Sequence, residues 1–307
     1  MMMVQKKSKP VLPETGQEPI TTFALCWLIV LVILWAANSV FVKIAVRDIP
    51  PFWAAFLRFG PALPFITAFI AFNGSGFSLG VNEFFKVVLL AVMMVFQIYT
   101  FNLGALYTTA GRVTLFIFSY PLFVSLIAPL FLKEERFLAR NLIGGVIALA
   151  GLLIALGKSL SADTTATLKG DLIELISCLT LSVSVVYLKR LTGSIDKWRI
   201  IFWEFMVAVA LFLWGALFFE TFDVRRVQTD AWASLLFQSL AVSVFCFMSW
   251  QYLIARHNSS SISVFFFLTP IIGMLIGVLM LKEPFDPALL SGCLLVGAGI
   301  YIVNRSP

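Results

Sequence analysis

Apolar residues fall in ten long runs, at about 23–45, 51–72, 84–106, 110–132, 138–157, 170–190, 198–219, 231–254, 260–281 and 286–303. Each is close to the ~20 residues that carry an α-helix across the hydrocarbon core of a bilayer. Ten membrane-crossing helices are therefore predicted. Residues 1–22 are polar, with Lys6, Lys7 and Lys9 followed by Pro10, Pro13, Gly16 and Pro19. A signal peptide would set its charges directly against a short apolar region, so this stretch is expected to be a disordered cytoplasmic tail. The longest connection, 158–169, is rich in Ser, Thr and Ala and is expected to be a solvated link.

The fourth and ninth runs echo one another. Phe118 to Glu135 carries Pro121 mid-run and closes on Lys133-Glu134; Phe267 to Glu283 carries Pro270 and closes on Lys282-Glu283. All three pairs share an offset of 149 residues, and a glycine-bearing apolar run follows each copy, Gly144 to Gly157 and Gly292 to Gly299. At the same offset Phe96, Thr100, Phe101 and Asn102 meet Phe245, Ser249, Trp250 and Gln251, while Lys43 meets Lys189 at an offset of 146. The chain thus divides into two five-helix repeats, 23–157 and 170–304. Five is odd, so the second repeat enters the membrane from the opposite face. The fold class expected is an all-α membrane protein of two inverted repeats, a common plan among transporters, with the solute site near the midplane.

Composition agrees with the pattern. Hydrophobic residues are 60% and charged residues 12% of the chain, against about 45–50% and about 25% in soluble domains, and mean hydropathy is +0.98. The net charge of +6 is read as membrane-flanking loops, not as a nucleic-acid surface. With the N-terminus cytoplasmic, 13 cations fall on that side: Lys6, Lys7, Lys9, Lys86, Lys133, Arg136, Arg140, Lys189, Arg190, Lys197, Arg199, Arg256 and Arg305. Eight fall on the other: Lys43, Arg47, Arg112, Lys158, Lys169, Arg225, Arg226 and Lys282. That bias predicts both termini in the cytoplasm, and the expected location is the plasma (inner) membrane.

Chemistry is sparse. His257 is the single histidine, and Cys26, Cys178, Cys246 and Cys293 lie in apolar runs without metal-ligand spacing. No metal, cofactor or catalytic constellation is expected, which argues against a membrane-embedded enzyme. Neither a Walker-type nucleotide loop nor a Thr-Val-Gly-Tyr-Gly filter occurs, so ATP hydrolysis and a potassium-type channel are set aside.

Trp35-Ala-Ala-Asn-Ser-Val-Phe-Val-Lys43, the Arg58-Phe59 pair, the two proline-to-glutamate segments and the glycine runs behind them together resemble the drug/metabolite transporter superfamily, in its EamA-like ten-helix branch. The resemblance spans about residues 23–303. It departs at Ala36, where that family has glycine, and at Leu181 and Glu204, which stand where the repeat would place counterparts of Trp35 and Arg58. It implies a secondary transporter with a central cavity lined by helices 1, 3, 4, 6, 8 and 9, and bacterial export of amino acids or related metabolites. A phosphorylated-sugar or nucleotide-sugar carrier of the same superfamily is the rival; it would want several buried cations, and Arg58 alone is available.

Within the runs, a lipid-facing amide or charge is costly, so polar residues should point inward. The candidate solute-binding set is Trp35, Asn38, Gln97, Tyr99, Asn102, Phe116, Tyr120, Ser184, Tyr187, Gln238, Trp250, Phe266 and Thr269. Phe116 and Tyr120 are one turn apart and are expected on one face. Arg58 lies seven residues into its run, roughly 10 Å below the surface at about 1.5 Å per residue, as a gate, a carboxylate anchor or a structural pair. Glu174 and Glu204 are candidates for proton coupling or helix-dipole partners. Pro121 and Pro270 remove backbone bonds and are candidate hinges. The Lys-Glu pairs read as solvated helix ends. The partners expected are a small-molecule solute, the lipid bilayer and, if a glutamate couples, protons; monomer and homodimer are equally compatible.

Overall fold

The structure, a computed structural model, describes residues 21–72, 76–132, 138–161, 165–256 and 264–304. Lys133, Glu134 and His257 lie outside the described residues. Among the described residues, eight helices are long and apolar enough to cross a membrane, and two shorter apolar ones, Phe265–Leu281 and Pro287–Val303, complete ten. We number them α1 (Thr22–Asp48), α2 (Pro51–Phe72), α3 (Val81–Tyr107), α4a (Ala110–Ile117), α4b (Tyr120–Phe131), α5 (Ala139–Ser161), α6 (Thr165–Thr192), α7 (Lys197–Phe219), α8a (Thr229–Leu236), α8b (Phe247–Arg256), α9 (Thr269–Leu281) and α10 (Pro287–Asn304). The stretch 158–169 is not mainly a loop, because α5 runs on to Ser161 and α6 begins at Thr165.

Local chemistry sets the helix ends. Thr21 caps α1 by accepting the Ala24 N–H at 3.2 Å. Ile49 is extended ahead of Pro50, and Pro51 opens α2, where its missing N–H costs nothing. Glu83 folds back to accept the Gly80 N–H at 2.9 Å, closing the start of α3.

The two proline helices break at matched places. Pro121 cannot donate to Ile117, so the ladder ends at Phe118; α4b restarts at Tyr120. Ser119 sits in the gap, its N–H tightened onto Phe116 O (3.1 Å) and its hydroxyl donating to Leu115 O (2.7 Å). In the second half a 3-10 turn, Val264–Leu268, precedes α9, which restarts at Thr269 beside Pro270. Tyr120 and Thr269 share the 149-residue offset, so the repeat extends to backbone geometry. The eighth helix has a further irregularity, a π segment at Phe237–Cys246 between α8a and α8b.

Packing follows the duplication. Equivalent helices meet each other, α5 on α10, α2 on α7 and α4 on α9; α1 packs on α8 and α9 as α6 packs on α3 and α4. This is the contact pattern of two inverted five-helix repeats about an axis between the halves. The α5–α10 seam is built on glycine. A Cβ at Gly144 would stand 2.7 Å from Gly299 O, and one at Gly151 would stand 2.8 Å from Gly292 O. Only hydrogen on these Cα atoms lets the two backbones approach so closely, as at many membrane helix crossings. Aromatic rings fill the α2–α7 contact, where Phe59 stacks on Phe212 at 5.7 Å.

Candidate functional site

The break in the fourth helix faces a central cavity of about 310 Å³. Trp35 of α1, Phe118 and Tyr120 at the break, Trp250 of α8b and Phe266 of the 3-10 turn form its aromatic walls. Ile117, Leu181 and Val185 add aliphatic surface, and Arg58 contributes the single charge in the lining. Trp35, Trp250 and Phe266 pack against one another, with ring centroids 5.1 to 5.9 Å apart. The Arg58 guanidinium lies 4.8 Å over the Phe59 ring and donates from Nε to Ser243 Oγ at 3.0 Å. Its buried Nη1 has no partner. Ser243 belongs to the π segment, an irregularity frequent at functional sites. A second groove, between α4b and α5, is walled by side chains such as Leu126, Leu149 and Leu152 and has no polar group to orient a solute.

Of the candidates read from sequence, the cavity gathers Trp35, Arg58, Tyr120, Trp250 and Phe266. Others sit on helix seams. Gln97 donates to Ser177 Oγ, which donates back to Gln97 O, both at 3.0 Å. Asn102 donates to Pro51 O (2.9 Å), Gln238 to Phe41 O (3.2 Å) and Ser184 to Thr180 O (2.8 Å). Tyr187 donates to Lys86 O at 3.2 Å, and Tyr99 stacks on Phe52 at 4.3 Å. Asn38 Oδ1 and Thr269 Oγ1 are buried without a partner. Glu204 is half-buried on α7. Pro121 and Pro270 stand in the first turns of α4b and α9.

Phe116 and Tyr120 do not share a face. Phe116 is fully buried between the α5–α10 pair and α9, while Tyr120 lines the cavity. The helix break at Phe118 and Ser119 lies between them. Ile117, Phe118, Leu181, Val185 and Ser243 were not among the sequence candidates. A signal existed for Leu181, which is the repeat counterpart of Trp35; both line the cavity.

The end of the bundle opposite the N-terminus is tied shut by polar groups. Lys43 of α1 donates to Thr108 O and to Ala105 O. Thr108 Oγ1 donates to Asp171 Oδ1 at 2.6 Å, and Arg112 Nη1 meets Asp171 Oδ2 at 2.5 Å with both side chains buried. Arg112 Nη2 donates to Ala155 O at 3.0 Å and lies 3.8 Å from Asp286 Oδ2. Glu283 is not a solvated helix end. Its carboxylate accepts the Ala110 N–H at 2.8 Å and the Gly111 N–H at 3.4 Å, capping α4a across the repeat boundary. The anion meets unsatisfied donors and a positive dipole end there. Glu220, beyond α7, does the same for α2 through the Phe52 and Trp53 N–H groups. One turn inside this cluster Glu174 is fully buried, both carboxylate oxygens without a partner. Glycine at 104 makes room for it, since a Cβ there would stand 2.6 Å from Glu174 Oε1.

Among the described residues, ten apolar helices in two inverted halves around a solute-sized cavity define an integral membrane protein. The profile of the EamA-like transporter family matches residues 22–157 and again 168–305. The chain belongs to that family, within the drug/metabolite transporter superfamily, and is a transporter, not an enzyme. It is 25% identical over 274 residues to an uncharacterized transporter of Archaeoglobus fulgidus, covering 89% of this chain and 94% of the relative. It is 21% identical to a probable amino-acid metabolite efflux pump of Salmonella typhimurium, covering 89% and 92%. A solved crystal structure shares the fold, with a TM-score of 0.64 at 17% identity over 90% of this chain and 94% of that one.

Proposed function

We propose that this transporter exports small amphipathic organic metabolites, amino acids or compounds related to them, by alternating access. The observation that carries this is the cavity, whose aromatic walls surround one guanidinium. Such a lining suits a solute with an apolar body and one polar handle. The Salmonella relative's name points the same way.

In this reading 23–157 and 170–304 are the moving halves, and both termini are cytoplasmic by the distribution of Lys and Arg. The Lys43–Thr108 and Arg112–Asp171 contacts then seal the outer face, and the cavity opens inward. Pro121 and Pro270 act as hinges, because their helices are already interrupted there and have fewer backbone bonds to break. Glu174 carries a proton when the outer seal opens, and Glu204 is the second candidate; unchanged pH dependence of transport in both Glu174→Gln and Glu204→Gln sinks the coupling. The carrier reading is tested with purified protein in liposomes and a panel of labelled amino acids and amphipathic metabolites. Exchange above empty liposomes for at least one solute is expected, and none across a broad panel refutes it.

A further inference from the structure

We infer that the central cavity selects by net charge, taking monoanionic organic acids with a flat apolar body in preference to zwitterionic amino acids or amines. This rests on the carrier reading and narrows its solute class to deaminated or N-acylated relatives of amino acids.

The contrast between two buried arginines carries the inference. Arg112 has its charge met by Asp171 at 2.5 Å, with Asp286 at 3.8 Å. Arg58 is 8% exposed, yet its one described polar contact is the neutral hydroxyl of Ser243, and Nη1 is buried without a partner. No carboxylate lies within ion-pair distance of it among the described residues. A guanidinium inside a membrane span is costly and is kept where it serves a pathway or a partner. The bond from Nε to Ser243 holds one edge of the guanidinium and leaves Nη1 unpaired in a residue that lines the cavity; a planar carboxylate is the partner whose two oxygens match paired N–H donors.

An ammonium group finds no such reception. The lining holds no aspartate or glutamate to pair with it. A zwitterion whose carboxylate meets Arg58 still leaves one uncompensated positive charge in a lining that has no anion to receive it. A monoanion instead neutralises Arg58 and lays its apolar body on the rings. A phosphorylated solute carries more charge than one guanidinium can meet.

Three ligands with one common ring separate the alternatives: 3-phenylpropionate, phenylalanine and phenethylamine. Equilibrium binding to the detergent-solubilised full chain is measured by calorimetry, beside exchange of the solute panel in proteoliposomes. We expect 3-phenylpropionate to bind about tenfold or more tighter than phenylalanine, with phenethylamine weakest, the gap set by a charge-assisted bond. Arg58→Gln should abolish the preference and Arg58→Lys keep part of it. Inaccessibility of the buried thiols Cys178, Cys246 and Cys293 shows that each variant is folded. Equal or tighter binding of phenylalanine or phenethylamine, no binding of 3-phenylpropionate, or a preference that survives Arg58→Gln overturns the inference. Exchange confined to zwitterions or cations sinks it while leaving the carrier reading intact; exchange of no solute sinks both.

Discussion

Neighbouring glycines on α5 offer a test of how the two halves are held together. A Cβ at Gly144 would meet Gly299 O and Val303 Cγ2, both at 2.7 Å, whereas one at Gly145 would meet only the Leu126 side chain at 3.5 to 3.9 Å. Alanine at either position gains about 0.8–1 kcal/mol of helix propensity, the same in both cases. At 144 the obstruction is a backbone carbonyl and a stiff β-branched side chain, so α5 and α10 must separate, an overpacking cost of about 1–3 kcal/mol. Gly145→Ala should therefore be neutral or slightly stabilising, and Gly144→Ala less stable than its neighbour by about 1–3 kcal/mol. Thermal unfolding in detergent, followed with a thiol-reactive fluorogenic dye, reads this directly. Cys178, Cys246 and Cys293 are buried and become reactive on unfolding, above a constant signal from the exposed Cys26. If Gly144→Ala is as stable as Gly145→Ala, close backbone contact at the α5–α10 seam is not what this glycine provides.

Other outcomes follow from the sealed end. Asp171→Asn removes the carboxylate that meets buried Arg112 at 2.5 Å, with Asp286 standing at 3.8 Å, and should lower stability by about 3 kcal/mol in the same assay, part of it recovered in Arg112→Gln/Asp171→Asn. Glu283→Ala removes the cap of α4a and should cost about 1 kcal/mol, with Glu283→Gln losing less because its amide oxygen still accepts one N–H. Burial holds the Glu220 carboxyl above the ordinary carboxylate range, outweighing its bonds from Phe52 and Trp53 N–H, which favour the anion. The folded protein then binds this proton more readily than the unfolded chain, so stability declines as pH rises from the ordinary carboxylate pKa through the raised one. Glu220→Gln should remove that slope in melting temperature against pH.

Much of the fold was legible because membrane physics leaves few choices. A bilayer core demands helices of about 20 apolar residues, so the runs marked the ten spans directly. The shared offset of Pro121 with Pro270 exposed the duplication, and an odd helix number required inversion. Helix ends were less legible: 158–169 looks like a linker in composition, yet helical structure extends to Ser161 and resumes at Thr165.

The site divides along a physical line. Trp35, Arg58, Tyr120, Trp250 and Phe266 stood out because large aromatic or charged groups are conspicuous in an apolar run, and the structure gathers all five. Amides such as Gln97, Asn102 and Gln238 were equally conspicuous, but sequence does not say whether an inward-facing amide meets a solute or another helix. Here Ser177, Pro51 and Phe41 supply the partners. Phe116 and Tyr120 were parted by a helix break whose proline was visible but whose effect on facing was not.

By itself, then, the sequence determined the membrane, the helix count, the repeat and the inversion, all of which depend on local hydropathy and parity. Only tertiary structure decided which buried charges are neutralised. Arg112 and Arg58 are indistinguishable as letters, and Glu283 reads as a solvated helix end. Their roles came from what the folded chain brings beside them: Asp171 at one arginine, Ser243 and an open cavity at the other, and two unsatisfied N–H groups at the glutamate. Such pairings join residues more than fifty positions apart, and no local pattern encodes them.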